Sequence, residues 1–202
     1  MTKKNIAIFA SGSGSNAKKI IEHFKNIPTI EVVLVVSNKP KAGVLNIAKS
    51  YDIECCTINR DFFYNSLGIC QKLNEYQVDL IALAGFLWLI PPYLITAYPQ
   101  KIINIHPSLL PKYGGKGMYG MHVHRAVKEA KEKQSGMTIH FVNEKYDDGN
   151  ILFQKARSIN SEDSSESIAK KVLELEHYYY PRVLERLLKN QPIEFAPKDF
   201  ND

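Results

Sequence analysis

Asn5-Ile6-Ala7-Ile8-Phe9-Ala10 runs straight into Ser11-Gly12-Ser13-Gly14-Ser15-Asn16, and a helical pattern through Ile20, Ile21 and Phe24 follows. A short, unbroken apolar run is what a strand buried on both faces of a parallel sheet requires. Strand, glycine loop and helix in that order present backbone N–H groups and a helix N-terminus to an anion such as a phosphate. Gly12, Gly14 and Ala17 also fit the relaxed dinucleotide fingerprint Gly-x-Gly-x-x-Ala, which asks for an acid at the end of the second strand to hold the ribose hydroxyls. That strand, Val32 to Val36, ends in Ser37-Asn38-Lys39-Pro40 without a carboxylate. NAD is therefore disfavoured, while Lys39 or Lys41 leaves NADP open. A phosphomonoester on the loop needs no further assumption, and a tight turn without ligand is the remaining alternative.

Working outward, a helix from about Gly43 to Tyr51 leads to a strand near Glu54–Thr57, and a helix from roughly Phe62 to Tyr76 leads to the strand Leu80–Leu83. Alternating strands and helices predict βαβ units and a parallel sheet. Ala84 to Pro92 is apolar, ends at a proline pair and opens a short helix up to Tyr98. A core segment is the plain interpretation. Leaving a strand's carboxyl end, it can equally wall a slot for a flat ring. The strand Ile102–His106 is followed by a loop containing Gly114, Gly115, Gly117 and Gly120, then by a helix with Val123, Ala126, Val127 and Ala130 on one face. The strands Met137–Val142 and Ile151–Ala156, joined by a turn over 143–150, read as a hairpin. Ser161 to Ser167 opens a long helix, with Ser164 and Ser165 as candidate caps, and Pro181 is expected to kink or split it. After Pro192 the tail has no strong pattern. The fold class is α/β: Rossmann-like, with a mostly parallel central sheet flanked by helices and an antiparallel hairpin toward the C-terminal part. One domain is expected over 1–202, with the phosphate-binding part in the first half (about 1–100) and the catalytic part in the second (about 101–192).

Composition sets the class. Apolar residues make up 45% and charged residues 23% of 202 residues, as in ordinary globular proteins. The formal charge of +5 is spread out, and no basic run interleaved with aromatics argues for nucleic acid. No stretch approaches the length of a membrane span. The start of the chain reads as a strand and not a signal peptide. Cys55, Cys56 and Cys70 suggest no disulfide framework and fit a reduced compartment, so a cytoplasmic protein is expected. His122 and His124, two apart on a helix start, make a poor metal pair, and no metal is predicted.

Ile102-Ile103-Asn104-Ile105-His106 breaks at Pro107. Side chains alternate along a strand, so Asn104 and His106 leave one face together while Ile103 and Ile105 leave the other. An amide can donate to a developing oxyanion, and an imidazole can carry a proton near neutral pH. The alternative is a capping asparagine beside a satisfied histidine. Asp147 and Asp148 share a turn, where aspartates are common. They are also the first carboxylates able to partner His106 if that turn folds back over the sheet edge.

The longer string Asn104-Ile105-His106-Pro107-Ser108-Leu109-Leu110-Pro111 resembles the signature of the folate-dependent formyltransferases, which transfer the formyl group of 10-formyltetrahydrofolate. The order of the Ser11–Asn16 loop, Leu83-Ala84-Gly85-Phe86, Asn104 to Tyr113, His140-Phe141-Val142 and Glu176-His177 is similar to the branch acting on phosphoribosylglycinamide. The resemblance implies formyl transfer from 10-formyltetrahydrofolate, as co-substrate, to the amine of 5-phosphoribosylglycinamide (glycinamide ribonucleotide) in purine synthesis. It implies small-molecule substrates, no metal, no nucleic acid and no membrane, in a monomer or homodimer. It assigns catalysis to Asn104, His106 and Asp147, and the substrate phosphate and nucleotide to Gly14, Ser15, Asn16 and Glu176. The folate would lie on Leu87, Trp88, Leu89, Ile90 and Asn104. Many relatives carry Met-Arg at Leu87-Trp88, and many read Asp-x-Gly-Pro where this chain has Asp147-Asp148-Gly149-Asn150. Rivals are a tRNA formyltransferase, for which no RNA-binding domain is expected after Pro192, a formyltetrahydrofolate hydrolase, a sugar-nucleotide formyltransferase, an NADP-dependent reductase and a non-catalytic nucleotide-binding module.

Overall fold

The computed structural model describes residues 3–196 and 200. The tail reading falls outside them for 197–199, 201 and 202. One seven-stranded sheet has the order β3-β2-β1-β4-β5-β6-β7. β1 is Lys4–Phe9, β2 Ile30–Ser37, β3 Glu54–Thr57, β4 Leu80–Leu83, β5 Ile102–His106, β6 Gln134–Phe141 and β7 Ile151–Ser158. The first five strands in this order pair in parallel, β6 is antiparallel to β5, and β7 is antiparallel to β6. The expected α/β class and hairpin are there, and the hairpin's first strand starts earlier, at Gln134.

Strand alternation divides the interior in two. Ile6 and Ile8 of β1, Leu80 and Ala82 of β4, and Ile103 and Ile105 of β5 enter one core with α1 (Ser15–Phe24), α2 (Gly43–Ser50), α6 (Met121–Glu129) and α7 (Ser165–Leu188). Ala7 and Phe9, Ile81 and Leu83, and Ile102 enter the other, with α3 (Arg60–Tyr64), α4 (Gly68–Glu75) and α5 (Pro92–Ala97). Fully buried side chains such as Ile6, Ile8 and Phe9 each contribute about 1.5–3 kcal/mol of transfer free energy. Asn104 and His106 lie on the Ile102 face of β5, past the end of that core.

The helix expected from Phe62 to Tyr76 is two helices. The chain leaves helical geometry after Tyr64: Ser66 Oγ donates to the Phe62 carbonyl (2.8 Å) and accepts from Gly68 N–H (3.2 Å). Local hydroxyl bonds of this kind compete with the helix ladder. Asn59 caps α3, accepting from Phe62 N–H at 2.8 Å. Ser164, the first of the two serines considered, caps α7. Pro181 lies inside α7 and does not split it. Tyr179, Tyr180, Val183 and Leu184 are buried on either side of it, and their packing outweighs the one lost backbone donor. The Tyr180 hydroxyl points its single hydrogen between two carbonyls, Leu83 at the end of β4 (3.0 Å) and Ile103 of β5 (2.9 Å).

Candidate active site

A cavity of about 900 Å³ opens at the carboxyl ends of β1, β4 and β5, where open α/β sheets bind ligands. Its walls include Ser11, Gly12, Ser13, Asn16, Leu87–Ile90, Asn104, His106, His140, Asp147 and Glu176. Gly14 and Ser15 are not among the lining residues. Gly14 sits at φ 87° before α1 and faces away, so a Cβ there would lie 2.8 Å from Val44 Cα. The glycine is required by the turn and by the approach of α2.

Asp147 is brought to β5 by the turn after β6. Its backbone is left-handed, φ 54°, a conformation aspartate tolerates better than most side chains. Gly149 makes the turn tight enough, since a Cβ there would strike the Phe141 carbonyl. The Asp147 carboxylate, 9% exposed, lies 3.4 Å from His106 Nδ1. It accepts from Gly115 N–H at 2.9 Å and from Asn104 Nδ2 at 3.3 Å. Burial alone would raise its pKa, but bonding to His106 and Gly115 and the His106 charge hold it well below the usual carboxylate range. Asp148 is exposed and faces Lys145 at 3.8 Å and Asn143 at 3.2 Å, away from this group.

The histidine tautomers follow from their partners. His106 Nε2 donates to the Tyr113 carbonyl at 2.8 Å, leaving Nδ1 toward Asp147. His140 Nδ1 donates to the Phe141 carbonyl at 2.8 Å, and its Nε2 accepts from Asn104 Nδ2 at 3.1 Å. That acceptor role leaves no hydrogen for the 3.7 Å approach of His140 Nε2 to Asp147, which we therefore do not count as an ion pair. Both Asn104 amide hydrogens point at neighbours, the Asp147 bond being the longer.

Elsewhere in the cavity wall, Asn16 Nδ2 donates to Glu176 Oε2 at 2.7 Å. Burial raises the Glu176 carboxyl to about 7, against the lowering effects of Asn16 and His106. Asn16 Oδ1 is buried without a partner. Of the apolar segment, Leu87 is 37% exposed at the mouth and Ile90 is buried. Leu87 N–H donates to Ser11 Oγ (3.0 Å), joining the segment to the glycine loop. Trp88 packs against Phe63, Tyr64 and Phe86, and the Arg60 guanidinium lies 5.1 Å from its ring centre.

Sequence reasoning did not select Ser11, Lys39, His124 or His140 as lining residues. For His124 the available signal was its place on the apolar face beside Val123 and Val127. Burial, with a smaller effect of the His106 charge, lowers its pKa to about 4. Among the described residues no group of three or more His, Cys, Asp and Glu is arranged to hold a metal ion.

This arrangement offers amide and imidazole groups beside an ionised carboxylate, an anion-suited loop, and an apolar segment joined to that loop, all lining one cavity. The sequence pattern described as "Formyl transferase" matches residues 4–184. The chain is 44% identical over 188 residues to a chloroplastic phosphoribosylglycinamide formyltransferase of Arabidopsis thaliana, covering 90% of this chain and 64% of that protein. It is 38% identical to the phosphoribosylglycinamide formyltransferase of Bacillus subtilis, over 92% of this chain and 95% of the other. The crystal structure of a phosphoribosylglycinamide formyltransferase from Bacillus halodurans superposes with a TM-score of 0.82 at 40% identity, covering 92% and 95% of the two chains. With the pattern spanning nearly all of the ordered sheet and both sides of the cavity, the chain belongs to the formyl transferase family.

Proposed function

We propose that the protein transfers the formyl group of 10-formyltetrahydrofolate to the amine of 5-phosphoribosylglycinamide in purine synthesis. The observation that carries it is the meeting of Asn104, His106 and Asp147 in the wall of a cavity that the glycine loop also lines. The names of the relatives support the same substrates. No helix among the described residues is long and apolar enough to cross a membrane; the reading is of a cytoplasmic enzyme that works as one domain on small molecules.

In this mechanism the pterin lies along Leu87–Ile90 and the ribonucleotide phosphate at the loop over Gly14, Ser15 and Asn16, with Glu176 beside the sugar. The amine nitrogen attacks the formyl carbon; a C–N bond forms and the carbonyl becomes a tetrahedral oxyanion. Asn104 turns the hydrogen it lends to Asp147 toward that oxygen, and His106, with a hydrogen on each ring nitrogen, donates from Nδ1 to the same centre while Nε2 stays on the Tyr113 carbonyl. Aimed donors of this type are worth about 10²–10³ in rate each. Asp147, held ionised, assists removal of the proton from the attacking nitrogen. When the oxyanion collapses, the bond to the folate nitrogen breaks and that nitrogen takes the proton, leaving tetrahydrofolate. No covalent enzyme intermediate is needed.

The test is an absorbance assay of folate release from 10-formyltetrahydrofolate. Release that requires glycinamide ribonucleotide is the expected result. Release in its absence would make the protein a hydrolase. No release under either condition, with NADP bound in calorimetry, would overturn the reading in favour of a dinucleotide site.

A further inference from the structure

We propose that Lys39 is the cation that selects the phosphorylated form of the amine substrate, a reading that rests on the function proposed above. Lys39 follows the carboxyl end of β2, and its backbone is fixed. The hydroxyl of fully buried Ser37 accepts from Lys39 N–H (3.2 Å) and donates to the Lys39 carbonyl (3.3 Å). Ala42 N–H donates to the same carbonyl at 3.1 Å, and Pro40 restricts the next residue. The turn is joined to the glycine loop: Val44 N–H donates to the Gly12 carbonyl at 3.2 Å. Gly43 lies so near that a Cβ there would be 3.0 Å from the Ser13 carbonyl oxygen.

This places Lys39 in the cavity wall with Ser11, Gly12, Ser13 and Asn16. Its neighbour in sequence, Lys41, does not line the cavity. Among the described residues no ion pair engages the Lys39 ammonium, whereas Lys18, Lys19, Lys72, Lys112 and Lys189 each face a carboxylate. The other lining lysines, Lys116 and Lys145, belong to the segments around Asp147 and not to those joined to Gly12 and Ser13. A phosphomonoester carries about two negative charges near neutral pH. Backbone N–H groups at a helix start satisfy its geometry but supply only partial charge. A lysine beside them supplies a whole charge without a fixed fork, as suits an anion that also binds backbone.

The experiment compares glycinamide ribonucleotide with its dephosphorylated riboside as formyl acceptors. Parent, Lys39→Met, Lys39→Arg and Lys41→Met proteins are used. Lys39→Met is expected to raise KM for the ribonucleotide about tenfold or more, the scale of one charge-assisted bond. Its kcat, its KM for 10-formyltetrahydrofolate and its kcat/KM for the riboside stay near parent values. The preference for the phosphorylated acceptor therefore falls by the same factor. Lys39→Arg restores most of that preference, and Lys41→Met keeps all of it. An unchanged preference in Lys39→Met, with an active parent, overturns the role of Lys39 alone. A parent that formylates neither acceptor overturns the proposed function and the role of Lys39 with it.

Discussion

Replacing Glu176 by Gln separates two buried titrations that oppose each other. Burial raises the Glu176 carboxyl from 4.5 to about 7, with Asn16 and His106 pulling the other way. The unfolded chain ionises this group near its ordinary value. Between those two pH values the folded protein holds a proton that the unfolded chain has lost. The contribution to stability is complete below about pH 4.5 and is lost as pH rises through about 7. At about 1.4 kcal/mol per pKa unit, the swing is on the order of 3 kcal/mol. His124 behaves inversely: its pKa is lowered from 6.5 to about 4, first by burial and then by the His106 charge. Its contribution is complete above its unfolded value and is lost as pH falls toward about 4. In the parent these slopes largely cancel between them. In Glu176→Gln only the rising His124 slope is left. Urea unfolding at about pH 4 and about pH 8 should show the parent-minus-variant stability falling by on the order of 3 kcal/mol from the lower pH to the higher. An offset constant to about 0.5 kcal/mol would refute the assignment of a neutral, buried Glu176.

In single-turnover assays, Asn104→Ala and His106→Ala should each slow formyl transfer by about 10²–10³; a loss of only a few-fold would remove them from the reaction. Asp147→Asn should lower the rate by more than about tenfold, while Asp148→Asn stays close to the parent, and the reverse pattern would exchange the two aspartates. Tyr180→Phe, which leaves two buried carbonyls short of a donor, should cost about 1–3 kcal/mol in denaturant unfolding. Gly14→Ala combines φ 87° with a clash against Val44 and should lower stability by about 1–3 kcal/mol; a thermal midpoint equal to the parent's would contradict the packing described.

What could be read from sequence was what depends on near neighbours. The apolar runs of β1, β2, β4 and β5 are buried on both faces, so the pattern and the fold agree. Asn104 and His106 share a strand, and period two alone puts them on one side. The Asp147 carboxylate needed more: its own left-handed backbone, Gly149 of the same turn packed against the Phe141 carbonyl, and the N–H of Gly115 from a distant segment. The turn's residues alone left Asp147 and Asp148 open and the resemblance assigned Asp147; the fold turns Asp147 inward and Asp148 to solvent. The interruption after Tyr64 was hidden because Ser66 forms its bonds to Phe62 and Gly68 only once the turn exists. Continuity through Pro181 was hidden for the opposite reason, since burial on both sides of the proline is a property of the assembled core. Lys39 and His124 show no distinguishing local pattern; the loop junction at Gly12 and the floor beside His106 give them their positions.

The shared hydrogen of Tyr180 also bears on how the molecule breathes. Tyr180 follows Glu176 by one helical turn, so the two side chains leave the same stripe of α7. Lifting that stripe from the sheet takes the tyrosine donor from Leu83 and Ile103 together, so the loss falls on two adjacent strands at once. Detaching α7 by itself is thereby an expensive excursion, and the ends of β4 and β5 open only along with it. In native-state hydrogen exchange, the amides of α7 around Tyr180 and those of β4 and β5 would then form one cooperative unit, exchanging with a common free energy close to that of global unfolding.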